Sequence, residues 1–73
     1  MSGSRHSKDY ERFLERLRQA REEAQLSQVQ VAEQLGRTQV WVSRCELGER
    51  RVDVVELANF AKLYGWTLDD FVA

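Results

Sequence analysis

The sequence has no proline, one cysteine and one histidine among its 73 residues, and only four glycines. Each scarcity removes a class of protein. A single cysteine, Cys45, cannot close an internal disulfide, so a disulfide-stapled scaffold is excluded. No apolar run approaches the roughly 18 residues that a membrane-spanning helix needs, and no signal-peptide core follows Met1. A cytoplasmic protein with no membrane partner is therefore expected. With few glycines and no proline, a meander of short strands lacks its turns, and a few helices with short connections are favoured. His6 has no second ligand near it in sequence, so neither a metal site nor a cofactor is expected. No nucleophile, base and orienting group come together, and no glycine-rich phosphate loop is present, which argues against an enzyme.

What is present is 42% hydrophobic and 32% charged, with a formal net charge of -1, the profile of one small domain. A folded chain this short buries only about 60% of the surface that its unfolded form exposes, so a homodimer is expected to add stability. The near-zero charge conceals alternating blocks. Six bases (Arg5, Lys8, Arg12, Arg16, Arg18, Arg21) face three acids up to Arg21, and three acids with no base follow as far as Gly36. Four arginines then stand between Arg37 and Arg51 against Glu46 and Glu49, before an acidic C-terminal stretch. A chain with no net attraction for a polyanion can still present one cationic face.

Residues 1–8 are small, polar and aperiodic, and read as a disordered tail ahead of a domain over residues 9–73. From Asp9, Tyr10, Phe13, Leu14, Leu17, Ala20 and Ala24 recur at the spacing of one helical face, which predicts a helix to about Ala24. Its arginines are read as a solvated face. Ser27 with Gln30 is a capping box that opens a second helix, ended by Gly36. Thr38 caps a third over Gln39–Leu47, with Val42 and Cys45 inward and Gly48 beyond its end. Asp53 with Glu56 caps a fourth, strongly apolar helix that ends at Gly65. Thr67 with Asp70 caps a last turn carrying Leu68, Phe71 and Val72. The fold class is thus all-α, with five helices and no internal repeat.

The second and third helices are short, are joined by three or four residues containing Gly36, and place a small residue, Ala32, where they cross, with Val42 as a plug from the second of the pair. With Ser27-Gln28, Ser43, Glu46 and Gly48-Glu49-Arg50 in register, the stretch from about Phe13 to Phe71 resembles the phage repressor and Cro-like (XRE-type) helix-turn-helix family. The resemblance implies a compact lambda-repressor-like domain that binds double-stranded DNA with the third helix in the major groove. It makes Thr38, Gln39, Val40, Ser43 and Arg44 the base-reading set. Gln39 suits adenine, Arg44 suits guanine, and Val40 suits a thymine methyl. Gln28, at a helix N-terminus, takes the place of a glutamine that grips the phosphate backbone, and Arg50 and Arg51 sit like the family's phosphate-contacting bases. Arg37 and Trp41 are further phosphate candidates. Val52 stands where many members have proline, and Cys45 where a larger apolar residue is common.

Several of these positions carry a plainer reading. Trp41 packs beside the second helix or donates its indole N–H to a phosphate, and the sequence leaves both open. Glu46, near a helix C-terminus, opposes the helix dipole and is expected to pair with an arginine such as Arg50. Cys45 is read as a core thiol. Trp66, Leu68, Phe71 and Val72 exceed what so small a core needs and are assigned to a dimer interface. The function expected is a sequence-specific transcriptional regulator acting as a homodimer on an inverted repeat. The rival is an antitoxin or adaptor whose main partner is another protein, a toxin or a polymerase, with DNA binding as autoregulation.

Overall fold

Each helix begins at a side chain that replaces a missing backbone partner. In the computed structural model, which describes residues 7–73, the helices are α1 (Lys8–Glu23), α2 (Gln28–Leu35), α3 (Gln39–Leu47), α4 (Val54–Tyr64) and α5 (Leu68–Val72). No strand occurs among the described residues. The caps Ser7, Ser27, Thr38, Asp53 and Thr67 each accept a hydrogen bond from the backbone N–H three residues on. At α2, α4 and α5 the third residue's side chain returns the bond, which completes the capping box. The caps set the starts of α2 to α5 where the spacing predicts them. α1 begins one residue earlier than expected, because Ser7 caps it from within the segment read as tail. The rest of that tail reading, on residues 1–6 and including His6, lies outside the described residues.

Two termini show what the chain needs there. Gly36 ends α2 at φ 68°, and a Cβ built on it would meet nothing within 4 Å. Glycine is required there for the backbone conformation and not for space. Just past Ala24, the C-cap of α1, Gln25 has a φ of 59°, which places a non-glycine residue in the left-handed region. The N–H of Leu26 then donates to the Arg21 carbonyl at 3.2 Å and closes the end of the helix.

α1 lies across the other elements, packing against α3, α4 and α5, while α2 packs chiefly on α3. Its buried stripe, Phe13, Leu14, Leu17 and Ala20, meets Val31 and Ala32 of α2, Val42 and Cys45 of α3, Phe60, Ala61 and Tyr64 of α4, and Phe71 of α5. The small side chain of Ala32 is buried, as the crossing of α2 and α3 demands. Phe71 is fully enclosed, with its ring centroid 4.9 Å from that of Trp66 and 6.3 Å from that of Phe13. This corrects the interface assignment at Phe71: the residue closes the protomer's own core and offers no surface to a second copy. Leu68 and Val72 remain exposed, and Trp66 is half-buried.

Candidate nucleic-acid interface

α3 is anchored from beneath and open above. Val42, Cys45 and Glu46 are buried, whereas Thr38, Gln39, Val40 and Arg44 are exposed and Ser43 is half-buried. The five residues expected to read bases therefore share the outer side of α3 and its N-cap. Val40 is 54% exposed, an aliphatic side chain held in water for which the core has no use. Leu47, 60% exposed and two turns further along that side, prolongs the same face. The sequence reading did not select it, although its spacing of seven from Val40 was visible.

Below that face runs a chain of hydrogen bonds. Glu46 is buried and faces Arg21 of α1, with Arg21 Nε donating to Oε2 at 2.6 Å and Nη2 donating to Oε1 at 3.1 Å. The Arg21 guanidinium also donates to the Leu26 carbonyl at 3.0 Å. The hydrogen bond to Glu46 raises the Arg21 pKa further. Two expectations change here. Glu46 pairs with Arg21 and not with Arg50, and Arg21 is not part of a solvated face, because the α1–α3 packing brings it over the acid.

Gln28, at the start of α2, donates from Nε2 to Glu46 Oε1 at 2.9 Å and accepts at Oε1 from Gln39 Nε2 at 2.7 Å. Both ends of the Gln28 amide are thus engaged within the protein, and one of them holds the first residue of α3. Tyr64, buried beside this ion pair, has a hydroxyl with no hydrogen-bond partner, and burial pushes its pKa up.

The second cluster lies where α3 gives way to α4. Arg50 donates from Nη1 to Glu56 Oε1 at 2.8 Å and from Nη2 to Oε2 at 2.7 Å. This fork holds the Glu56 carboxyl below the usual carboxylate range and pushes the Arg50 pKa up. Trp41 stacks on Phe60 of α4 with ring centroids 5.8 Å apart and planes 13° apart. The ring thus packs on α4. The guanidinium carbons of Arg37 and Arg50 lie 4.5 and 5.1 Å from the Trp41 ring centroid. Arg51 is exposed and lies 4.6 Å from the Tyr10 ring centroid, while the Tyr10 hydroxyl accepts from the Val52 N–H at 3.1 Å. Arg37 and Arg50 thus flank Trp41 of α3, whereas Arg51 lies over Tyr10 of α1. Cys45 is fully buried, and burial pushes its pKa up, which keeps it a thiol.

No group of three or more histidine, cysteine, aspartate or glutamate side chains able to hold a metal ion occurs among the described residues. Nor is any helix among them long and apolar enough to cross a membrane.

Two short helices crossing at a buried alanine, a glycine turn and an outward polar face on the second define a helix-turn-helix domain, a fold that binds DNA. The helix-turn-helix domain family model matches residues 12–72, and the chain belongs to that family. No curated protein and no solved structure matches.

Proposed function

We propose that this chain is a sequence-specific transcriptional regulator that acts in the cytoplasm as a homodimer, with α3 of each copy in the major groove of an inverted-repeat operator. The observation that carries the reading is the two-sided character of α3. Val42, Cys45 and Glu46 fix it to the body, and Gln39, Val40 and Arg44 are exposed on the other side. A helix serving only as a leg of a bundle has no need of an amide, an aliphatic and a guanidinium aligned in water. In this reading Gln39 takes adenine, Arg44 guanine and Val40 a thymine methyl, with Thr38 and Ser43 as shorter polar contacts.

Gln28, Arg37, Trp41, Arg50 and Arg51 hold the phosphates on either side. Arg51 does so directly, whereas Arg50, whose Nη1 is taken by Glu56 and the Arg51 carbonyl, has its Nε and the second Nη2 N–H to offer. Two copies are needed because one head with net charge -1 offers a small interface. The proposed two-fold contact uses Leu68 and Val72, which are 41% and 68% exposed, with Trp66 at its margin.

Selection of bound duplexes from a random pool tests the reading. The expected result is an inverted repeat with half-sites about 34 Å apart, one turn of the duplex. Binding without any recovered sequence, or no binding, would favour the antitoxin or adaptor reading.

A further inference from the structure

We infer that Glu46, which lies beneath the DNA-facing surface, is a positioning residue for base choice: it fixes which way up the Gln39 amide stands. The inference rests on the reading of Gln39 as a base-reading residue. A carboxylate can only accept hydrogen bonds, whereas an amide has an accepting end and a donating end whose orientation its partners decide. Both Glu46 oxygens accept from Arg21, so the end of Gln28 that faces them must be the NH2 group. Gln28 then has only its oxygen to turn toward α3. Gln39 must meet that oxygen with its own NH2 group, as it does at 2.7 Å. One N–H of Gln39 is used, and what remains for the groove is one donor and one acceptor. That pair matches adenine, which offers an acceptor at N7 and a donor at N6.

The direction of the chain has a consequence that can be read at a single base pair. In Glu46→Gln the side chain keeps its shape but gains a donating end. Arg21 donates to both oxygen positions, and keeping the oxygen on the shorter Nε bond of 2.6 Å, at the expense of the 3.1 Å Nη2 bond, puts the new NH2 group toward Gln28, which turns its oxygen inward and its NH2 group outward. Gln39 then accepts from Gln28 through its oxygen and leaves its N–H donors to the groove. Guanine, with acceptors at both N7 and O6, becomes the better partner. A buried acid that touches no nucleic acid would thereby shift the preference from adenine toward guanine.

The test measures affinity of the full chain for four duplexes that differ only at the base pair whose preference is lost in Gln39→Ala. That variant should lower the adenine preference by roughly 5- to 150-fold. Glu46→Gln should lower the ratio of adenine to guanine affinity at the same position by about tenfold or more and leave the other positions unchanged. Because Glu46→Gln leaves Arg21 less well paired, Gln28→Met serves as the second variant: it cuts the chain above an intact Arg21–Glu46 pair. It should weaken all four duplexes through the lost phosphate contact and also lower the adenine-to-guanine ratio. In a Gln39→Ala background neither change should move the ratio further. If Gln39→Ala alters the preference while Gln28→Met and folded Glu46→Gln both keep the parent ratio, Glu46 has no such role and the base-reading assignment stands. A Gln39→Ala protein with unchanged preference removes both.

Discussion

Arg50 and Glu56 face each other fork to fork, with bonds of 2.8 and 2.7 Å, and Glu56 also accepts from the Asp53 N–H as part of the α4 capping box. One carboxylate thus ties the loop after α3 to the start of α4. Val52 stands where a proline would stiffen the chain, and its N–H, which a proline would lack, is held by the Tyr10 hydroxyl at 3.1 Å.

Acid should expose this link. The Glu56 pKa is lowered from its usual 4.5 chiefly by the Arg50 hydrogen bond, so the folded state binds the proton less readily than the unfolded one. Its contribution to stability is therefore complete above the usual value and fades as the pH falls through it toward the lower folded value. Urea midpoints at about pH 7 and about pH 3.5 should show Glu56→Gln losing stability at the first and a flatter loss between the two than the parent. An acid response equal to the parent's would mean that other carboxylates govern it.

The Arg21–Glu46 pair should matter through the cost of stranding one charge. Arg21→Met leaves Glu46 buried without its cation and should cost about 3–5 kcal/mol in urea unfolding. The double variant Arg21→Met with Glu46→Leu removes both charges and should recover most of that loss. A double variant as unstable as the single one would show that the shape of the pair, and not its charge, supports the α1–α3 packing.

Phe71 and Val72 are neighbours in sequence with opposite roles. Phe71→Ala opens the core and should cost about 3–5 kcal/mol, enough to unfold most of so small a domain. Val72→Glu and Leu68→Glu should leave the circular dichroism spectrum intact, convert the dimer to a monomer in sedimentation and lower operator affinity by roughly 100-fold. Dimers that survive both charges would move the two-fold contact elsewhere.

Arg44 and Arg51 should separate reading from gripping. Arg44→Ala should remove about 1–3 kcal/mol of discrimination at one base position, with little effect on folding. Arg51→Ala should weaken every sequence alike and lower the slope of log affinity against log salt by about 0.9 per lost phosphate contact, counted twice in a dimer. A sequence-dependent loss at Arg51 with an unchanged slope would contradict the phosphate assignment.

The division between what the chain declares and what the fold decides follows the reach of each interaction. Ser27, Thr38, Asp53 and Thr67 set the starts of α2 to α5, and the αL glycines Gly36, Gly48 and Gly65 set the ends of α2 to α4. Both devices act within three or four residues, so spacing alone exposes them. The outer side of α3 was legible for the same reason, since Val42 and Cys45 mark the inner side and helical geometry assigns the rest.

Partners between helices were not legible. Arg21 is 25 positions from Glu46 and Arg50 only four, yet the way α1 lies over α3 gives the acid to Arg21 and leaves Arg50 to Glu56. Trp41 likewise found Phe60 of α4, and Phe71 turned inward while Val72 stayed in water. The sequence by itself determined where the helices are and which side of α3 faces out, because short-range hydrogen bonds and the 3.6-residue repeat are properties of the local chain. Only the tertiary structure decided which charges are buried together and which apolar residues are spent inside, because both depend on how rigid helices cross once the core has closed.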